Sequence, residues 1–422
     1  MIHCNLASSP TMCSWMISAV IDKYNQQGSP VYCCTMDLTK AFDMVRWPVL
    51  FTELLERDVN PIFLRTLLFV YVNQSCIVQW NGSSSISFEV CNGVRQGAVS
   101  SPLLFSIYID RLFSLLRNSG FGYRLFNVFY GCFGYADDIL LLSASRTGLQ
   151  AMVDMCNKFM RKRGLKFSTN EIASKSKTKC ILFSQKKIPS IAPVKLDGNS
   201  LPWVSDIKHL GNILEMNNSM KKDVNCKRGQ FIGRVNSLSQ EFYFADPHSF
   251  IKILNLYTVS FPGSCLWDLF STDCQRIFSS YNVMLRNIFN LHRTTHRYIL
   301  ETLSDVPHLY VQLIARYVTF VNSLLSNDAF EVRFLSNICL SDKTTVIGRS
   351  VPMILDACDH HNLTTLTARI VKKKVMYMKI PEHEKWRLGI IQDRRNISNG
   401  DIQPCGLTID QAKCLLDFAC TS

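Results

Sequence analysis

The run Gly131-Cys-Phe-Gly-Tyr-Ala-Asp-Asp-Ile-Leu-Leu-Leu-Ser143 sets two adjacent carboxylates, Asp137 and Asp138, inside an otherwise apolar stretch. Ionised carboxylates are costly to bury unless a cation or hydrogen-bond donors satisfy them. Adjacent side chains on a strand point to opposite faces, so the pair fits best at a tight hairpin turn between two short strands. From such a turn both acids can project into one cleft. A third acid, Asp37, sits in a similar run, Val31-Tyr-Cys-Cys-Thr-Met-Asp-Leu38, 100 residues before Asp137. Two apolar strands that both carry acids are what a two-metal phosphoryl-transfer site needs.

A chain of 422 residues, 47% hydrophobic, buries at least one large core and predicts two or three domains. Its net charge of +13 points to a polyanionic partner, nucleic acid first, against the plainer reading of a merely basic protein. Between Lys158 and Lys187 there are ten Lys or Arg and one acid, Glu171. Such a stripe is either a phosphate-binding surface or a solvated face. The 17 cysteines are irregularly spaced, without a CxxC pair, and many lie in apolar runs. They read as reduced, mostly buried thiols of an intracellular protein, with nucleus or cytoplasm left open. A zinc site from Cys405, Cys414 and Cys420 with His360 or His361 has no support in their spacing. The most apolar long stretch, Phe250–Phe270, contains Lys252, Pro262 and Asp268 and makes a poor membrane span. No signal pattern opens the chain.

Periodicity predicts helices at Ser9–Tyr24, Trp47–Arg57, Pro61–Asn73, Ser101–Arg117 and Thr147–Arg163. It predicts strands at Val31–Leu38, Leu165–Phe167, Lys179–Phe183 and Lys208–Leu214, and a hairpin of Cys76–Trp80 with Ile86–Val90 across Asn81-Gly82-Ser83. Beyond about residue 220 helical stretches dominate: Asp223–Phe242, His248–Phe261, Cys274–Asn290 and Leu309–Leu325. Signals after about residue 340 are weak, and Lys372-Lys373-Lys374 reads as a solvated helix face. In Asp37-Leu-Thr-Lys-Ala-Phe-Asp43, Asp43 reads as the cap of a helix beginning near Arg46, and Phe42 as core or cleft wall. In Gly93-Val-Arg-Gln-Gly97, paired glycines allow close backbone approach to a strand of nucleic acid. There Arg95 can meet a phosphate and Gln96 a base or sugar edge.

Taken in order, these segments resemble the reverse transcriptase domain of non-LTR (LINE-like) retrotransposons. The matching residues are Asp37-Leu-Thr-Lys-Ala-Phe-Asp43, Gly93-Val-Arg-Gln-Gly97 with Ser101-Pro-Leu-Leu-Phe105, Tyr135-Ala-Asp-Asp138, Gly164-Leu-Lys-Phe167 with Lys177-Thr-Lys179, and His209-Leu-Gly211. The similarity covers roughly residues 8–304, through Thr294-Thr-His-Arg-Tyr298. It implies an α+β polymerase palm, an antiparallel sheet with helices packed on one face, followed by a mostly helical thumb and C-terminal region. The implied divisions are a palm with a remnant of fingers at 1–215, a thumb-like segment at 216–304 and a helical extension of unknown role at 305–422.

The resemblance also implies roles. Asp37, Asp137, Asp138 and the backbone carbonyl of Leu38 would hold two Mg²⁺ ions, with Mn²⁺ as a substitute. Phe42 would press on the sugar of an incoming deoxynucleoside triphosphate and exclude a 2′-hydroxyl, with Arg95, Gln96 and Gly97 lining that pocket. Lys177, or in second place Lys179, would approach the leaving pyrophosphate. Gly93, Tyr135, Lys179, His209, Leu210 and Gly211 would contact primer and template. The implied reaction is RNA-templated DNA synthesis from a DNA primer; the alternative is an inactive nucleic-acid-binding remnant of such an element. Two departures from the family stand out. Met1 lies 36 residues before Asp37, so an endonuclease and complete fingers are expected to be lacking, and a partner chain would have to supply the fingers. Ser100 stands where the family usually has leucine.

Overall fold

The first helix, α1 (Pro10–Gln26), starts on a standard cap: the Ser9 side chain accepts the Met12 N–H at 3.2 Å and Pro10 takes the first turn. The computed structural model describes residues 9–169, 176–184, 191–295, 297–304 and 306–377. The chain divides into two compact units, Met1–Ser219 and Met220–Ser422.

After α1, the first unit runs through β1 (Val31–Met36), α2 (Trp47–Leu55), α3 (Pro61–Val72), β2 (Ser75–Cys76), β3 (Gln79–Trp80), β4 (Ser83–Ser84), β5 (Phe88–Glu89) and α4 (Ser101–Asn118). It continues with β6 (Arg124–Leu125), β7 (Val128–Phe129), β8 (Cys132–Tyr135), β9 (Asp138–Ser143), α5 (Arg146–Lys162) and β10 (Lys179–Phe183). It closes with β11 (Lys195–Leu196), β12 (Asn199–Ser200), β13 (Trp203–Val204), β14 (Asp206–His209) and β15 (Asn212–Glu215).

The main sheet has the order β13-β10-β1-β9-β8, antiparallel except for the edge pair of β10 with β13. Both parities of β1 and β9 are buried, so both faces of the sheet are covered. Cys34, Met36, Ile139 and Leu141 pack into one core with Phe105, Leu112, Val153 and Cys156 of α4 and α5. The helical cover expected on one face is this pair, while α1 lies against β1 and β8. Cys33, Cys34, Cys156 and Cys180 are free, fully buried thiols, as their apolar settings suggested. Cys405, Cys414 and Cys420 lie outside the described residues.

Several sequence readings change in detail. The hairpin after α3 turns on two residues, Asn81-Gly82, between β3 and β4, with β2 pairing β5 outside it. Leu165–Phe167 is not a strand of the sheet; it makes one bridge, Phe167 to Leu38. Lys208–Leu214 is not one strand but the β14–β15 hairpin, turned at Leu210-Gly211 with φ of 47° and 79°. Helix α2 begins at Trp47 with no side-chain cap, so Asp43 does not cap it. Helix α3 buries Leu64 and Tyr71 but leaves Ile62 75% and Phe69 69% exposed; on the following hairpins Trp80 is 82% and Ile86 88% exposed.

The second unit is helical: α6 (Lys221–Glu241), α7 (Pro247–Tyr257), α8 (Thr272–Ile288), α9 (Arg297–Ser304), α10 (Leu309–Leu325), α11 (Phe330–Ser341), α12 (Val346–Ala357) and α13 (Ala368–Tyr377). The helix read as His248–Phe261 stops at Tyr257, where the chain breaks toward Phe261 (φ 35°) and Pro262. Helix α10 packs on α8, α11 and α13. Among the described residues no helix is long and apolar enough to cross a membrane.

One buried charge ties three helices of the first unit together. Glu53 of α2, 4% exposed, accepts from Arg57 at 2.6 Å, Arg163 at 2.5 Å and Arg111 at 3.1 Å. Burial alone would raise the Glu53 carboxyl; the Arg163 and Arg57 hydrogen bonds outweigh it and leave the value below the usual glutamate range. The carboxylate therefore stabilises the fold above the ordinary glutamate pKa, and that stabilisation fades as pH falls through the lower folded value. Glu53→Gln should cost about 3 kcal/mol in urea unfolding at neutral pH. The deficit should shrink in acid; a deficit that is constant with pH would show that charge is not its cause.

Candidate active site

Three elements of the central sheet end at one place. In the β1–β9 register Met36 faces Ile139, and one step further sets Asp37 opposite Asp138. In the β1–β10 register Thr35 faces Lys179, and the same continuation sets Asp37 opposite Lys177. The Lys177 Nζ stands 3.8 Å from Asp37 Oδ2, and the Asp37 N–H donates to the buried Thr178 hydroxyl at 3.3 Å. Asp137 sits in the two-residue turn between β8 and β9, after Ala136, whose φ of 52° is the unusual one that such a hairpin turn demands.

The three half-buried acids repel one another. Burial, then the charges of Asp137 and Asp37, push Asp138 up to about 6. Burial raises Asp37 as well, Lys177 offsets part of that, and Asp137 adds to it. Half-buried oxygen donors under mutual repulsion suit a hard divalent cation. Among the described residues no three His, Cys, Asp or Glu side chains meet as a ready-made metal site.

Two clefts flank Asp37. One, about 580 Å³, is lined by Asp37, Leu38, Phe42, Gln96, Gly97, Asp137 and Lys177 among others. The second, about 450 Å³, is lined by Asp37, Asp138, Lys177, Lys179, Asp206, Lys208 and His209 among others. The adjacent acids thus open into neighbouring clefts, with Asp37 and Lys177 common to both. Phe42 is wall and packing at once: its ring centroid lies 5.2 Å from that of Phe105. Gln96 Nε2 donates to Asp43 Oδ1 at 3.0 Å, so the acid read as a helix cap orients the glutamine instead. Gly97 (φ 84°) has no atom within 4 Å of where a Cβ would lie.

Other candidates stand back from the clefts. Gly93, Arg95, Tyr135, Leu210 and Gly211 line neither. Arg95 Nε donates to Gln74 Oε1 at 3.0 Å. Gly93 (φ 90°) lets the chain itself come close, since a Cβ there would meet Asp43 backbone atoms at 3.0 Å. His209 is buried, and burial holds its imidazole down to about 4, so it is neutral at physiological pH. The basic stripe is not one surface: Arg163 is spent on Glu53 and Arg161 pairs with Asp197 at 3.2 Å. Lys175, Lys186 and Lys187 lie outside the described residues. Lys40, Asp206 and Lys208 were missed. Lys40 lies in the same run as Asp37, whereas nothing local marks Asp206 or Lys208, which the β14–β15 hairpin brings in.

The family model for reverse transcriptase (RNA-dependent DNA polymerase) matches residues 2–214. This chain belongs to the reverse transcriptase family. Over 154 residues it is 29% identical to the Retrovirus-related Pol polyprotein from the type-2 retrotransposable element R2DM of Drosophila melanogaster, covering 35% of this chain and 14% of that protein. Over 152 residues it is 30% identical to the R2 Pol polyprotein of Nasonia vitripennis, covering 36% of this chain and 14% of the relative. Over 211 residues it is 26% identical to the R1 Pol polyprotein of Bradysia coprophila, covering 48% and 19%. These relatives place the chain with the non-LTR, LINE-like reverse transcriptases. It matches no more than a fifth of the length of any of the three. Among solved structures, telomerase from Candida tropicalis with a TWJ fragment of telomeric RNA aligns at a TM-score of 0.38 and 12% identity, over 77% of this chain and 51% of that one.

The electrostatics of the acidic cluster give a pH signature. A carboxyl raised in the folded state penalises folding when ionised; the penalty shrinks as pH falls through its folded pKa and is gone only below the ordinary unfolded value. In the presence of a chelator, Asp138→Asn should raise the melting temperature at neutral pH, keep part of that advantage at about pH 5 and lose it only below about pH 4, the ordinary aspartate range. A gain of equal size at neutral pH and below about pH 4 would show that neither burial nor its neighbours' charges penalise the ionised Asp138 carboxylate.

Proposed function

We propose that this chain carries the polymerase core of an RNA-directed DNA polymerase and adds deoxynucleotides to a primer 3′-hydroxyl. The observation that carries this reading is the opposition of Asp37 to Asp138 and Lys177 across one sheet, with Asp137 in the adjoining turn. Asp37, Asp137, Asp138 and the Leu38 carbonyl would hold Mg²⁺ or Mn²⁺. A divalent pair bound by such a set neutralises the phosphates and lowers the pKa of the attacking hydroxyl. Lys177 meets the triphosphate end of the nucleotide, and Phe42 closes the cleft beside its sugar. Gln96, oriented by Asp43, and the bare backbone at Gly97 line the same cleft. On the other side of Asp37, the Lys179 and Lys208 amines face the primer, with neutral His209 behind them. The regions 1–215, 216–304 and 305–422 would serve as palm, thumb and extension.

The exposed apolar residues of α3 and the hairpins after it, Ile62, Phe69, Trp80 and Ile86, support a further polypeptide covering these elements, as fingers supplied by a partner chain would.

Primer extension on poly(rA)/oligo(dT) with purified chain and Mg²⁺ tests the reaction. Extension should vanish in Asp137→Asn/Asp138→Asn. Phe42→Val should raise ribonucleotide use relative to deoxyribonucleotide use; an unchanged ratio would make Phe42 packing only. If the wild type binds duplex but extends nothing, the binding-remnant reading replaces this one.

Affinity for an RNA–DNA duplex tests the basic cleft. Each phosphate contact adds about 0.9 to the magnitude of the slope of log K against log salt. Replacing Lys179 and Lys208 by alanine should weaken binding and flatten the slope by up to about 2. Unchanged affinity and slope would reduce these lysines to solvated charges.

A further inference from the structure

Asp37 lies beyond the last residue of β1, where the sheet ladder no longer holds it. Its backbone is held from another direction. The Ser168 N–H donates to the Asp37 carbonyl at 2.7 Å, and the Thr39 N–H donates to the Lys166 carbonyl at 2.9 Å. These two bonds bracket the antiparallel bridge of Leu38 with Phe167. In such a bracket the central pair is non-hydrogen-bonded, so the Leu38 N–H and C=O turn away from Phe167. The segment Leu165–Ser168 is therefore a strap that fixes Asp37 and leaves the Leu38 carbonyl uncommitted to it.

The strap is anchored at the end of α5. Leu165 N–H reaches the Met160 carbonyl at 2.9 Å and Gly164 N–H the Arg161 carbonyl at 3.1 Å, a Schellman ending with Gly164 at φ 78°. Gly164 is also tight in space: a Cβ there would fall 2.3 Å from Arg46 Nε. The preceding residue, Arg163, is the anchor. Its Nη2 binds Glu53 at 2.5 Å, its guanidinium lies 4.6 Å from the Phe159 ring centroid and 5.3 Å from that of Tyr108, and its carbonyl accepts the Tyr108 O–H at 2.6 Å. Glu53, Tyr108 and Phe159 come from α2, α4 and α5, so the anchor point is tied to the helical layer of the core.

We propose that Arg163 is a positioning residue of the polymerase site: through the Leu165–Ser168 strap it sets the backbone of Asp37 and Leu38 against the divalent metal. The link to metal rests on the polymerase reading; the mechanical link from Arg163 to Asp37 does not.

The experiment has two arms on the full chain. In hydrogen exchange, Arg163→Met should speed exchange at Thr39 and Ser168 by about tenfold or more while α1 and β9 keep wild-type rates, the pattern of a local opening. Glu53 keeps Arg57 and Arg111 in this variant, which preserves the packing of α2. Unchanged rates at Thr39 and Ser168, or a uniform rise across the unit, overturns the proposal. In calorimetric titration with Mn²⁺ alone, Arg163→Met and Ser168→Pro, which deletes the strap's donor to Asp37, should each weaken binding by about 10-fold. Wild-type Mn²⁺ affinity in Ser168→Pro overturns it too. If wild-type chain binds no Mn²⁺, the polymerase reading falls on that result, and the exchange rates alone decide the strap.

Discussion

Everything at the site depends on β1 being buried on both faces and paired on both edges. A strand so enclosed has no freedom to slip, because a one-residue shift would turn Cys34 and Met36 out of one core and Cys33 out of the other. That fixed register decides which residue emerges first at the strand's end. The emerging residue is Asp37, and the neighbouring strands deliver Asp138 and Lys177 to the same level. The apolar ladder serves function by making this alignment compulsory.

The acids at the end of the ladder are kept under tension by the same scaffold. Burial first, and then the charges of Asp137 and Asp37, hold the Asp138 carboxyl above the usual aspartate range. The scaffold stores this cost locally and offsets it elsewhere, in the apolar core behind the sheet. The second unit repeats the device on its own: Asp223, 1% exposed, accepts from Lys227 at 2.9 Å and from the Trp267 indole at 2.8 Å, so its buried charge is fully partnered.

The loop around Gly93 shows how fold and site share residues. Its carbonyl accepts the Trp47 indole N–H at 2.8 Å, and the Val94 N–H reaches the Phe42 carbonyl at 2.8 Å. The loop is thereby pinned to the Phe42-Asp43 turn, which places Gln96 and Gly97 at the mouth of the larger cleft. The two glycines that looked alike in sequence divide the work. Gly93 is bare so that the protein's own backbone fits, and Gly97 is bare toward open space.

The sequence by itself determined what is local. Runs of apolar residues specified β1, β9 and β10, since strands buried on both faces need no alternation. Ser9 and the prolines set helix starts, and the acids in apolar runs marked Asp37, Asp137 and Asp138, because burying them demands a reason. Tertiary structure alone decided what depends on partners distant in the chain. Asp43 looked like a cap because caps are read from spacing, yet its partner, Gln96, lies 53 residues on. Arg163 looked like one more charge in a basic stripe, and only the packing of α4 against α2 and α5 made it the buried mate of Glu53. Leu165–Phe167 had the composition of a strand, but β1 already had both edges filled. The segment could pair only with the few residues beyond the end of β1, and those are the ones that hold Asp37.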